Sequence, residues 1–200
     1  MPVAVANRQR AAPVSSARLA RAAGRALAAV GRAAGDVDVL VVDDAAIRRF
    51  NARHRGVARR TDVLAFPLEA PGVAVPLVGQ IVISAETAAR QARRLEVPLA
   101  TELDLLVTHG VLHLVGYDDR DPVEAALMHG REREILSAGR RWLPAQLWQG
   151  LLQDPERTEQ APGSRLKRAM PSRVKLARRG RVASISGHPR KEPASRTPLQ

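Results

Sequence analysis

Leu103-Asp104-Leu105-Leu106-Val107-Thr108-His109-Gly110-Val111-Leu112-His113-Leu114-Val115-Gly116-Tyr117-Asp118-Asp119 reads as a helix that is apolar on nearly every side until Gly116 stops it. A helix without a polar face is buried, so the rest of the chain has to be built around this one. The periodicity predicts the helix over 101–114. Upstream, 78–83 and 62–66 are β-branched, strand-like runs; Pro67 stops the second, and the Pro/Gly-rich stretch 71–76 joins the two like a hairpin. A helix is expected over 85–95. Nearer the N-terminus, Val3 and Val5 mark a strand, and Ser15 or Ser16 caps a helix with Leu19, Ala23, Leu27 and Val30 at helical spacing. Residues 37–42 form a further strand, and Asp43 or Asp44 caps a helix running through Ile47 and Phe50 toward His54. Downstream, helices are expected over 122–136 and 144–151. The fold class that results is α+β: one mixed four-stranded sheet packed with about five helices in a single domain, without internal repeats.

Two hundred residues suit one such domain with something appended. Aromatics make up only 2% of the chain, which excludes RNA-binding modules that stack bases on rows of rings. Zero cysteines exclude disulfide frameworks, thiolate zinc fingers, iron–sulfur clusters and a Cys nucleophile, leaving any metal to His and carboxylate ligands. No apolar run is long enough for a membrane span and no signal peptide is visible, so a cytoplasmic protein with no membrane association is expected. Net charge is +12, and from Leu151 onward twelve basic residues face four acidic ones. Residues 152–200 therefore read as a basic, disordered extension, and 1–151 as the folded domain.

His109 and His113 stand four apart on the apolar helix, so their rings project from one face and can meet one ion. Once Gly116 reverses the chain, Asp118 or Asp119 can complete a three-ligand site with a position left open for water. The zinc-protease pattern needs a Glu directly after the first His, and here that place is Gly110. His129 and His188 show no partner along the sequence and read as non-ligands.

The run His109-Gly110-Val111-Leu112-His113-Leu114-Val115-Gly116-Tyr117-Asp118 resembles the signature of the YbeY-type rRNA maturation endoribonucleases. The resemblance extends to Asn51-Ala52-Arg53-His54-Arg55, to Thr61-Asp62-Val63-Leu64-Ala65-Phe66-Pro67, to Gly79-Gln80-Ile81, and to Met128, Glu132, Ile135 and Leu136, covering residues 1 to about 150. It implies one divalent ion, Zn2+, held by three histidines, of which His109 and His113 match the first two while the third position falls on Asp119. Gln80 and Ala65 depart from the family's Asp and Ser. An anionic ligand lowers the net charge felt by a bound water and raises its pKa relative to a three-histidine site.

The resemblance further implies a single-strand-specific, metal-dependent endoribonuclease acting in rRNA maturation and ribosome quality control. Its partners would be an rRNA precursor, the ribosome and ribosomal proteins. A water made acidic by the ion would attack the phosphodiester, and Arg55 matches the family's functional arginine and can grip phosphate oxygens. Arg53, Arg59 and Arg60 would extend an RNA-binding wall along the backbone. The alternative is a non-catalytic ribosome-associated factor that keeps the fold with a structural or altered metal site, which Asp119 and Gln80 motivate.

Overall fold

A computed structural model describes residues 3–68, 77–138 and 143–152. The Pro/Gly-rich connection at 71–76 and the basic stretch beyond residue 152 lie outside these described residues. Four strands form one sheet: β1 (Val3–Asn7), β2 (Asp36–Val42), β3 (Val63–Pro67) and β4 (Leu77–Ser84), in the order β1-β2-β4-β3. β1, β2 and β4 run parallel, and β3 pairs antiparallel with β4 at one edge, so the sheet is mixed. Parallel neighbours need crossovers. α1 (Ser16–Ala29) supplies one between β1 and β2, and α2 (Asp44–Arg55) lies on the path from β2 toward β3 and β4. After β4 come α3 (Ala85–Arg94), α4 (Leu99–Leu114), α5 (Pro122–Ser137), a 3-10 turn at Ala145–Trp148 and the short α6 (Gln149–Leu152). The helix expected over 144–151 is thus split into a 3-10 turn and a last α turn.

Helix starts follow from side-chain chemistry that satisfies exposed backbone N–H groups. Ser15, Asp43, Ser84 and Asp121 each accept a backbone N–H from the first turn of α1, α2, α3 and α5. Asp43, not Asp44, is the cap of α2, with its Oδ1 2.7 Å from the Ala46 nitrogen.

Alternation along the strands separates two apolar layers. Val37, Val39, Val41, Val63, Ile81 and Ile83 pack with α1, α3, α4 and α5. Leu40, Val42, Leu64 and Val82 face the other way and are covered by Ile47 and Phe50 of α2. α4 is buried along nearly its whole length, as its composition requires. It approaches the sheet closely because Gly110 has no side chain: a Cβ there would stand 2.9 Å from Ile81 Cγ2. Buried Asp104 on α4 receives a bidentate pair of bonds from Arg18 of α1, the shortest 3.0 Å. Among the described residues no helix is long and apolar enough to cross a membrane.

Candidate metal centre

α4 ends at Leu114, and the chain reverses through Gly116, whose φ of +101° lies where a side chain is strained. The Tyr117 N–H closes the turn on the Leu112 carbonyl at 3.1 Å. The Tyr117 carbonyl then accepts a hydrogen bond from Nδ1 of His113 at 2.9 Å. Of the two carboxylates that follow, Asp118 turns away. Its hydrogen bonds to Arg120, together with backbone bonds and charge, outweigh the opposing cost of burial and hold its carboxyl at about 2. Asp119 turns inward, its oxygens 3.5 Å from His109 Nε2 and 3.7 Å from His113 Nε2.

One ligand atom from each of His109, His113 and Asp119 lies within 4.8 Å of the others, and the group can hold a metal ion. The tautomers make the case in physical terms. A carbonyl oxygen only accepts, so His113 Nδ1 carries the hydrogen that meets Tyr117. His109 Nδ1 meets Glu132 Oε1 at 2.7 Å. Glu132 is fully buried, yet its hydrogen bonds with the His109 and His129 rings overcome that burial and keep its carboxyl at about 2, so it too accepts. In the neutral form that ligates a metal, rings with their hydrogens on Nδ1 would point Nε2 lone pairs at each other across 2.8 Å, with a carboxylate beside them. Three electron-rich atoms facing one point repel unless a cation lies among them. Donors about 2.0–2.1 Å from a shared tetrahedral centre stand about 3.3 Å apart, and the observed separations of 2.8 to 3.7 Å bracket that spacing. The donor set fits a divalent cation. Exposure rises from 0% at His109 to 26% at His113 and 23% at Asp119, so the group opens to solvent on one side.

The remaining basic residues lie at the end of α2 and in the loop after it. Arg53 and Arg55 are exposed in the last turn of α2, which Gly56 ends at φ +73°. Next to them the His54 ring packs on Phe50 and meets Phe66 edge-on at 5.1 Å. Phe66 pairs with Gln80 and Pro67 with Gly79. From the opposite face, Leu114 at the end of α4 reaches the same rungs, since a Cβ on Gly79 would lie 2.6 Å from both Leu114 Cδ2 and the Phe66 carbonyl. The ends of α2 and α4 thus meet one end of the β3 edge from opposite sides, carrying Arg55 and His113. Arg59 and Arg60 precede β3 and line a cleft of about 360 Å³ with Asp44, Ala45 and Arg48. The Arg59 carbonyl accepts a hydrogen bond from Asn51 Nδ2 at 2.9 Å, which ties this loop to α2 one turn before Arg55.

His129, read from sequence as lacking a partner, is buried and bonded to Glu132 through Nδ1 at 2.9 Å. Trp148 Nε1 donates to the same Glu132 oxygen at 2.9 Å. The spacing of His129 and Glu132, three apart on one helix, was the available signal. Trp148 had none, because it arrives from a separate segment 16 residues further along the chain. Gln80, where the resembled family carries Asp, donates to Asp38 Oδ2 at 3.4 Å on the face of the sheet that α2 covers only in part.

The family described as Endoribonuclease YbeY matches residues 4–139. The chain belongs to that family. Among curated relatives named Endoribonuclease YbeY, one from Anaeromyxobacter sp. (strain Fw109-5) is 44% identical over 103 residues, 52% of this chain and 54% of the relative. One from Geobacter metallireducens is 37% identical over 142 residues, 68% of this chain and 95% of the relative. A third, from Syntrophus aciditrophicus, is 34% identical over 140 residues, 68% of this chain and 88% of the relative. The chain spans about half the length of the Anaeromyxobacter relative it matches. The YbeY region thus holds all four strands, α1 to α5 and the three converging donor groups, but ends before the 3-10 turn that carries Trp148.

Proposed function

We propose that this YbeY-family protein is a metal-dependent, single-strand-specific endoribonuclease acting on precursor rRNA, in rRNA maturation and ribosome quality control. Zn2+ would be held by His109, His113 and Asp119. The observation that carries the reading is the pair of Nε2 atoms converging 2.8 Å apart beside a carboxylate. A divalent ion bound there supplies Lewis-acid activation of a water and neutralises charge on the phosphoryl group. His109 is held by Glu132 and His113 by the Tyr117 carbonyl, so each ring keeps a fixed orientation. Arg55, on the other side of the β3 edge, would grip phosphate oxygens and hold the strand across that edge, with Arg53 beside it. Arg59 and Arg60 would extend that contact along the backbone. Such a protein would work in the cytoplasm, in contact with the ribosome and ribosomal proteins.

The test is cleavage of matched single-stranded and duplex RNA by protein with a measured metal content. Cleavage of the single strand alone, lost with chelator and in His113→Ala, supports the reading. Metal-loaded protein that cleaves neither substrate overturns it.

Asp119 and Gln80 support a second reading, a non-catalytic ribosome-associated factor with a structural or altered metal site. Asp119 brings an anion to the ion, and Gln80 presents an uncharged amide on the sheet. Its signature would be ribosome binding without cleavage, together with cleavage gained in Asp119→His.

A further inference from the structure

Glu132 has 0% exposure and accepts from three N–H groups on three different elements. His109 of α4 reaches Oε1, while His129 of α5 and Trp148 of the 3-10 turn share Oε2. A carboxylate this deep is costly unless hydrogen bonds compensate it. Here all three donors are ring N–H groups, and only one belongs to a residue of the metal group.

We propose that Glu132 is a positioning residue for the metal centre, holding the His109 ring so that Nε2 faces the ion, and that His129 and Trp148 hold Glu132 in turn. The proposal rests on the reading of His109, His113 and Asp119 as a metal site. A neutral imidazole has one N–H, and its location decides which nitrogen can ligate. The Glu132 carboxylate demands it at Nδ1 and leaves the Nε2 lone pair for the cation. The segment after α5 is drawn into the arrangement as well: Trp148 is buried, and the Arg133 guanidinium lies 4.7 Å from its ring centroid. The segment 143–152 would thus brace the metal centre as well as fill the core.

A purely structural Glu132 would tie three elements together without affecting the ion, and metal affinity separates the two cases. Zinc binding to the full chain is measured by competition with a chromogenic chelator, and the ring tautomer of His109 by 15N NMR. Glu132→Gln keeps the size of the side chain and removes its charge. It is expected to weaken zinc binding about 10–100-fold while circular dichroism stays native, and to shift His109 away from a single Nδ1–H form. Trp148→Phe keeps a ring in the core and removes one donor to Glu132, so a smaller loss of affinity is expected. A folded Glu132→Gln protein with the affinity and the His109 tautomer of the parent overturns the proposal. If Glu132→Gln does not fold, Trp148→Phe decides, and unchanged affinity there overturns it. If the parent itself takes up no zinc, the metal-site reading has failed, an outcome visible without any variant, and the proposal falls with it.

Discussion

The carbonyl oxygen of Tyr117 lies 2.9 Å from Nδ1 of His113, four residues earlier in the chain. That bond joins the end of α4 to the loop that delivers Asp119, and it exists because Gly116 turns the backbone at φ +101°. Among the described residues no atom lies within 4 Å of the place a Cβ would take at Gly116, so there the backbone alone opposes one. Gly116→Val should cost about 1–3 kcal/mol and displace Tyr117 and Asp119 together. Urea unfolding would give the first effect and zinc affinity the second. A stability loss with unchanged affinity would show that the loop finds its place without the glycine.

Gly110 separates the two histidines by more than spacing. A Cβ at this position would meet Ile81 Cγ2 at 2.9 Å and Cδ1 at 3.0 Å, inside a packed core. Gly110→Ala should therefore destabilise the fold by about 1–3 kcal/mol through overpacking, despite the higher helix propensity of Ala. In an Ile81→Ala background the same change should cost less. A double-mutant cycle on thermal unfolding reads the difference.

Arg18 and Asp104 bind α1 to α4 through a fork of hydrogen bonds, with Asp104 at 0% exposure. Arg18→Met keeps most of the apolar stem and removes the donors. The expected cost is about 2–3 kcal/mol by chemical denaturation, less than for a fully buried pair, because Arg18 is 37% exposed.

Asp44 links the start of α2 to the end of β4 and the start of α3. Burial works against its ionisation, and hydrogen bonds from Ser84 at 2.6 Å, Thr87 at 2.7 Å and Arg90 more than compensate, so its carboxyl sits below the usual 3.8. A carboxyl lowered on folding stabilises the fold above its unfolded value and loses that contribution as pH falls through the folded one. The parent should therefore lose thermal stability more steeply than Asp44→Asn as pH falls below about 3.8. Melting midpoints at neutral and acid pH provide the comparison. Parallel acid limbs would remove Asp44 from the list of acid-sensitive groups.

Much of this protein is local and therefore legible along the chain. Helix caps, strand alternation and the apolar turn-after-turn of α4 depend on near neighbours, and the fold class and element order followed from them. The four-residue step between His109 and His113 is also local, since helix geometry alone places both rings on one face.

Choices between equivalent neighbours, and contacts across long stretches of chain, had to wait for the packed molecule. Asp118 and Asp119 are the same side chain in adjacent places, and only the path after Gly116 gives one to Arg120 and the other to the histidines. Arg59 and Arg60 look like simple neighbours of Arg55 in sequence, yet only the packed molecule shows that they line a cleft with Asp44, Ala45 and Arg48 at the start of α2. Glu132 acquires its meaning from His109, 23 residues away, and Trp148, 16 residues away. No periodicity encodes such a meeting: a side chain's direction follows from its own helix or strand, whereas its partners depend on how the layers stack.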